Sequence, residues 1–326
     1  LYYSDNLKNF DYMKKIYLLV FIQALALAAF AQQEATFSQF MYNKLAYNPG
    51  YAGSFESPTL TLQDRHQWVG FDGALNSQRI TYSQPALNRR VGVGGALSRV
   101  EIGITRTITF EASYAYRIAF RRGYLGIGIQ AGMRHFFQNW ADERLVATQK
   151  VDAAIPGQAT QNKFLPNFGV GVFYSGYKFY AGLAVPRLLK NNIDFSDIEE
   201  TISEETPHFN AMAGVDFKPA DEVKLTVQTL LRYVKGAPFD ADINLTAGFK
   251  GKFYTGATYR TGGDGLGESI IPSLGIQATD KLFFNLSYDL ALSRLRTQQA
   301  GTFEVSVRWW FNPPVSGPTT NPTPIF

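Results

Sequence analysis

The sequence predicts an all-β fold, a transmembrane antiparallel up-and-down β-barrel of about 14 strands with an N-terminal plug or rim segment. Three observations carry this reading. Between Pro58 and Phe311 apolar residues recur at every second position with polar residues and glycine between them, the period of a strand whose two faces meet different surroundings. The alternating segments number fourteen, and an even count lets a closed up-and-down sheet begin and end at one rim. Charged residues make up 18% of a chain with 29 glycines, and beyond the leader no apolar run reaches the roughly 18 to 20 residues that a membrane helix needs.

Taken in order, residues 1–12 lie upstream of Met13, the expected start, and form no part of a leader. Met13-Lys14-Lys15, the apolar stretch from Ile16 to Phe30 and the small-x-small pattern Ala29-Phe30-Ala31 read as a secretory signal peptide over 13–31, cut after Ala31. Residues 32–53 follow as a plug or rim segment. There Phe37, Phe40, Met41 and Leu45 fall at roughly helical spacing, their aromatics need burial, and Asn48-Pro49-Gly50 ends the run. The barrel takes residues 54–311, with strands expected near 58–68, 74–84, 91–101, 103–119, 122–137, 166–176, 177–188, 207–219, 221–234, 240–250, 252–262, 268–279, 281–292 and 302–311. Arg121-Arg122-Gly123, Ser175-Gly176 and Thr279-Asp280 carry the chemistry of tight links, whereas long connections run from Asn139 to Leu165 and from Leu189 to Thr206. The second is acidic, with Asp194, Asp197, Glu199, Glu200, Glu204 and Glu205, and reads first as a solvated surface loop. Residues 312–326, rich in proline and threonine, cannot join a sheet and form an appended tail.

Parity assigns the two faces. In the fourth strand Ile108, Phe110, Tyr114, Tyr116 and Ile118 point to lipid, and Thr107, Thr109, Glu111, Ser113 and Arg117 point inward. In the last, Phe303, Val305, Val307, Trp309 and Phe311 oppose Glu304, Ser306 and Arg308. Trp68, Tyr116, Tyr233, Trp309 and Phe311 fall near strand ends, where such barrels carry aromatic girdles. The inward charges have both signs. Glu111, Arg117, Lys224, Arg232, Asp289 and Arg308 are expected to form a lumen charge network, with Arg134, Asp216, Lys218 and Asp242 beside them, that holds a plugged interior. A water-filled pore is the alternative. The stretch from Leu125 to Gly132 mimics a dinucleotide-binding fingerprint, but it lies in a strand and Gly126, Gly128 and Gly132 have inward parity, so these glycines make room in the lumen.

Gln39-Phe40-Met41-Tyr42-Asn43, then Asn48-Pro49-Gly50-Tyr51-Ala52-Gly53 and Arg65-His66-Gln67-Trp68-Val69-Gly70, with Tyr259-Arg260 and Tyr288-Asp289-Leu290 further on, resemble the PorP/SprF family of Bacteroidota over nearly the whole mature chain. Where that family usually has Gly-Ser-His-Glu before its last strand, this chain has Gly301-Thr302-Phe303-Glu304. A role tied to the histidine is therefore not carried over, while Glu304 is. The resemblance implies an outer-membrane protein of the type IX secretion system and, in gliding relatives, one that supports secretion or surface anchoring of a large adhesin. Implied partners are outer-membrane lipid, type IX secretion components and a large secreted adhesin. The motif residues Gln39, Asn43, Asn48, Pro49, Tyr51, Gly53, Arg65, Gln67, Trp68, Gly70, Tyr259, Arg260, Tyr288, Asp289 and Glu304 read as barrel and lumen structure, because they form no chemical site.

Other chemistries find little footing. Lys and Arg (31) barely exceed Asp and Glu (27) and are scattered singly, so no basic stripe offers itself to nucleic acid. Cysteine is absent, which removes disulfides, thiolate metal sites and a lipoprotein anchor. The three histidines, His66, His135 and His208, are isolated, and neither a metal site nor a catalytic constellation gathers around them. Gly262 to Glu268 faintly resembles a calcium loop and reads as an outer loop. The expectation is a non-enzymatic barrel without cofactor, with a porin-like or hydrophobic-solute transporter as the alternative.

Overall fold

The computed structural model describes residues 36–142, 160–193, 204–261, 268–292 and 300–312. Expectations for the signal peptide, for residues 1–12, for most of both long loops, for Gly262 to Gly267 and for the tail beyond Asn312 lie outside the described residues.

Fourteen strands close into an antiparallel barrel. They are β1 (Thr59–His66), β2 (Asn76–Ala86), β3 (Val91–Ile102), β4 (Thr105–Phe120), β5 (Gly123–Asn139), β6 (Thr160–Gly176), β7 (Phe179–Arg187), β10 (His208–Ala220), β11 (Val223–Val234), β12 (Asp240–Phe249), β13 (Phe253–Thr261), β14 (Ser269–Thr279), β15 (Leu282–Ala291) and β16 (Thr302–Trp310). A separate two-residue ladder joins β8 (Asn191–Asn192) to β9 (Glu204–Glu205). Neighbours in sequence pair, and β16 returns to β1 from Thr59↔Trp310 to His66↔Phe303. Closure removes the edges, so the spanning backbone is satisfied without water, the condition for crossing a bilayer as strands.

The faces follow the parity of the sequence. Along β4 the even-numbered residues from Arg106 to Phe120 are exposed, while Thr109, Glu111, Ser113, Ala115 and Arg117 are buried inside. The outward set Phe110, Tyr114, Ile129, Phe168, Leu183, Leu245, Leu274 and Leu286 forms an apolar surface far larger than a water-facing protein tolerates. Lipid is its matching solvent.

Loop lengths give the barrel its sides. At one end lie the tight turns 121–122, 177–178, 221–222 and 280–281, together with the start of β1 and the end of β16. In outer-membrane barrels this end faces the periplasm, and the longer connections face outward. We call the two ends inner and outer.

Three expectations need correction. β6 begins at Thr160 and stays paired with β5 to Asn139↔Thr160, so the loop expected to reach Leu165 is shorter. β1 ends at His66, and Trp68 sits in the following connection with φ 57°, not on a strand in a girdle. Lys218 lies beyond a register shift at the end of β10 and is exposed, not luminal.

Candidate functional site: a plugged lumen and its outer cleft

The interior is filled by the chain's own N-terminal segment. Phe40, Met41, Tyr42, Leu45, Tyr51 and Ala52 are almost fully buried and form one core with the wall residues Ala115, Phe173, Tyr180, Met212, Leu230, Tyr254, Phe283 and Trp310. The segment is not the helix expected from its spacing. It makes three 3-10 turns, Phe40–Tyr42, Lys44–Ala46 and Pro49–Tyr51, parted by the non-helical Asn43 (φ −141°, ψ 66°) and the extended Asn48 (φ −150°). Short turns aim side chains at every side of a lumen, whereas an amphipathic helix serves a single wall.

The plug runs from the outer end inward. Its first described residues, Thr36 and Phe37, lie beside Arg187, His208, Val234 and Asp240, all at outer strand ends. Its last, Phe55 and Glu56, meet Trp310 and the β2–β3 turn residue Arg89 at the inner end.

The outer half is held by charge. Glu304, wholly buried on β16, accepts hydrogen bonds from the backbone N–H of Ser38 (2.6 Å) and Gln39 (3.0 Å). Gln39 Nε2 donates to Ser287 Oγ (2.9 Å) and to the Glu304 carbonyl (2.8 Å), and Ser38 Oγ donates to Asp289. Arg65 of β1 joins them, with Nη1 on Glu304 at 3.0 Å and Nη2 on Asp289 at 2.7 Å, and Nη1 also contacts Ser38 Oγ. From there the ion pairs continue along the wall: Asp289 to Arg260 (3.7 Å), Arg260 to Asp242 (2.7 Å), Asp242 to Arg232 (3.1 Å) and Arg232 to Asp240 (3.9 Å). Arg79 pairs with Glu111 on the facing wall, and Glu205 is held by Arg134 (3.0 Å) and Arg187 (3.4 Å). Each charge here has a partner of opposite sign, the condition that makes buried charge tolerable.

The inner half is held by rings and by close backbone contact. Arg308 is buried and meets no carboxylate among the described residues. Its Nη2 donates to the Tyr42 carbonyl, and its guanidinium lies 4.8 Å from the Phe55 ring centre and 5.5 Å from that of Trp310. Lys44 of the plug donates to the Met41 carbonyl (2.8 Å) and lies 4.8 Å from the centre of the Tyr180 ring. Aromatic faces attract cations, and carbonyls complete their solvation. Alongside, Asn48 Nδ2 donates to the carbonyls of Val172 (2.9 Å) and Leu183 (3.2 Å), tying the plug to β6 and β7. Gly50 lies flat on the wall, where an added Cβ would stand 2.9 Å from the Gly126 carbonyl oxygen, and a Cβ on Gly128 would strike the Pro49 and Gly50 backbone. The inward glycines of β5 make the room their parity implied.

Among the described residues a cleft of about 70 Å³ lies beside the start of the plug at the outer end, lined by Thr36, Phe37, Tyr47, Arg79, Glu111, Arg187, His208, Arg232 and Asp240.

Of the predicted network, Glu111, Lys224, Arg232 and Asp289 are ion-paired, Lys224 with Asp216 at 3.0 Å. Arg117 and Arg308 are corrections: both point inward as expected but lie on rings, Arg117 over Tyr124 at 4.7 Å. Glu205 is a second correction: it lies in the β7–β10 connection as expected but is buried there against Arg134 and Arg187 and not solvated. Among the motif residues, Gln39, Arg65, Asp289, Glu304 and Arg260 converge on the outer latch. Asn43 donates to Gln63 (2.7 Å) and Thr81 (2.9 Å), and Gly53 N donates to Ser83 Oγ (2.9 Å). Asn48, Pro49 and Tyr51 seat the inner half. Gln67, Trp68 and Gly70 lie in the outer β1–β2 connection, where Trp68 N donates to Thr302 Oγ1 (3.2 Å). Tyr259 and Tyr288 face outward, so neither belongs to the lumen. His66 is exposed between Asp64 and Asn76, each at 2.9 Å, His135 stacks outside on Phe164 with ring centres 4.5 Å apart, and His208 lines the cleft. Ser38, Lys44, Arg79 and Arg187 escaped the sequence reading.

No curated protein matches the chain in sequence. Among solved structures it is similar to the toluene transporter TbuX of Ralstonia pickettii (8% identity, TM-score 0.51, covering 85% of this chain and 94% of that one). It is similar also to the CymD monoaromatic hydrocarbon channel (11% identity, TM-score 0.51, covering 85% and 93%). Both likenesses speak to the barrel fold alone. The family model described as type IX secretion system membrane protein PorP/SprF matches residues 29–309, and its span takes in both the plug and the wall that receives it. The chain is a member of the PorP/SprF family of type IX secretion system membrane proteins, an outer-membrane barrel.

Proposed function

We propose that this barrel is a non-enzymatic docking protein, which supports secretion or surface anchoring of a large adhesin by the type IX machinery and works through its rims. The observation that carries the reading is the occupied lumen. A segment buried along most of its length and latched by Glu304, Arg65 and Asp289 fills the lumen among the described residues, which favours contact surfaces over a solute path as the working parts. Family membership supports secretion-system components as partners. Docking of this kind draws on a few rigid aromatic and arginine anchors.

The test is affinity purification of the tagged protein from native outer membranes in mild detergent, with partners identified by mass spectrometry. Recovery of secretion-system components or a large surface adhesin is the expected result, and a barrel that purifies alone would overturn the proposal.

A second reading, transport of a hydrophobic solute, draws on the outer cleft and on two structural neighbours named for monoaromatic compounds. It requires the plug to leave its seat. Gain of uptake on deleting residues 36–53 would favour it.

A further inference from the structure

We infer that one arc of the inner rim, formed by the turns 87–90, 121–122 and 177–178, binds anionic phospholipid and holds the headgroup phosphates of the inner leaflet with Arg90, Arg121, Arg122 and Lys178. The inference does not rest on the adhesin role.

Charge is the first observation. The three turns follow one another around the rim and bring Arg89, Arg90, Arg121, Arg122 and Lys178 to it, all exposed. Arg89 pairs with Glu56 at 3.2 Å, and the other four meet no carboxylate among the described residues. The rest of the inner rim is balanced. There Lys218, Lys250, Lys252 and Lys281 stand with Asp221, Glu222 and Asp280, and Lys250 pairs with Glu222 at 3.3 Å. Basic residues at a membrane surface strengthen association with anionic headgroups by about fivefold each. Position is the second. Phe120, Tyr174 and Phe179 form an outward ring cluster at the strand ends of this arc, with centres 6.5 and 5.2 Å apart, and Tyr174 Oη donates to the Arg122 carbonyl (3.4 Å). Such aromatics mark the level where acyl chains give way to headgroups. Turns of two residues do not carry Arg121, Arg122 and Lys178 out of that layer, and long cationic side chains there reach for phosphate while their stems stay on apolar surface. Backbone is the third. Leu87, Asn88 and Arg89 all have positive φ (47°, 54° and 66°), a costly run without glycine, and it leaves Leu87 74% exposed beside two arginines. An apolar tip next to guanidinium groups suits the boundary between acyl chain and phosphate, which favours lipid over an acidic protein surface.

Native mass spectrometry of the purified protein, released from mixed micelles of phosphatidylglycerol and phosphatidylcholine, counts the lipids retained, and heat-modifiable migration on gels selects folded barrels. The parent is expected to retain phosphatidylglycerol in preference. R121Q/R122Q should lose about fivefold or more of that preference, and K250Q/K252Q, the same charge change on the balanced arc, should keep it. Equal retention of the two lipids by the parent, equal loss in both double variants, or a preference for lipid A over phosphatidylglycerol in the same micelles would overturn the inference. An unchanged preference in R121Q/R122Q would overturn it too, and loss of a co-purifying acidic protein from that variant in native membranes would then give the arc to a protein contact.

Discussion

The two halves of the lumen hold the same plug by opposite means. At the outer end, Glu304, Arg65, Asp289, Arg260 and Asp242 form a chain of opposite charges into which Ser38 and Gln39 are hydrogen-bonded. At the inner end, Arg308 and Lys44 meet carbonyls and ring faces and no carboxylate among the described residues. Members of a sign-balanced network depend on one another, so removing one strands the rest. A cation resting on rings and a carbonyl leaves no buried countercharge stranded when it is removed, and an apolar side chain of similar shape can replace it. The difference teaches where the plug is latched and where it is merely packed.

The sharpest way to break the comparison is E304A. It leaves Arg65 short of a partner and two plug N–H groups buried without an acceptor, and a loss of about 3–5 kcal/mol follows from breaking a buried pair on one side. Urea unfolding in detergent micelles measures it, and limited proteolysis should find residues 36–42 newly cleavable. An unchanged midpoint would mean that the outer half is no latch. G128L comes next. Its side chain would occupy the place of the Pro49–Gly50 backbone, and overpacking of this kind costs about 1–3 kcal/mol. Protease sensitivity of the plug in a barrel that is still heat-modifiable would show that the plug yields before the wall. K44M sharpens the contrast through its sign. It gives up one hydrogen bond and a ring contact worth about 1 kcal/mol each but removes a buried cation, so stability should equal or exceed that of the parent. A loss as large as that of E304A would erase the distinction between the halves. R89A, at the exposed inner turn where Arg89 meets Glu56 at 3.2 Å, should shift stability by less than about 1 kcal/mol.

The barrel was legible because lipid and lumen impose alternation on every strand they flank. Leu282, Phe284 and Leu286 could only face out while Asn285, Ser287 and Asp289 faced in. The signal failed where lipid ends. Thr160, Gln161, Asn162 and Lys163 are polar on both faces, so this part of β6 read as loop although it is paired throughout with β5. The plug's burial was legible from its aromatics, but its conformation was not, because a segment walled on all sides has no single apolar stripe. Pairing within the lumen was half legible. Sign alone suggested partners for Arg308, and the clue against them was a set of parity breaks: Phe283 beside Phe284, Trp310 beside Trp309 and Tyr254 beside Phe253 put rings on the inner face. Glu205 could not be placed from a local count of acids, since Arg134 and Arg187, which hold it, are far away in sequence.

Single-channel recording of the purified protein in planar bilayers tests the central claim, a barrel closed by its own N-terminal segment, most directly. The account predicts no stable large open state for the parent protein and intermittent openings for E304A under the same conditions. A steady nanosiemens-scale conductance from the parent would contradict it and return the lumen to the role of a pore.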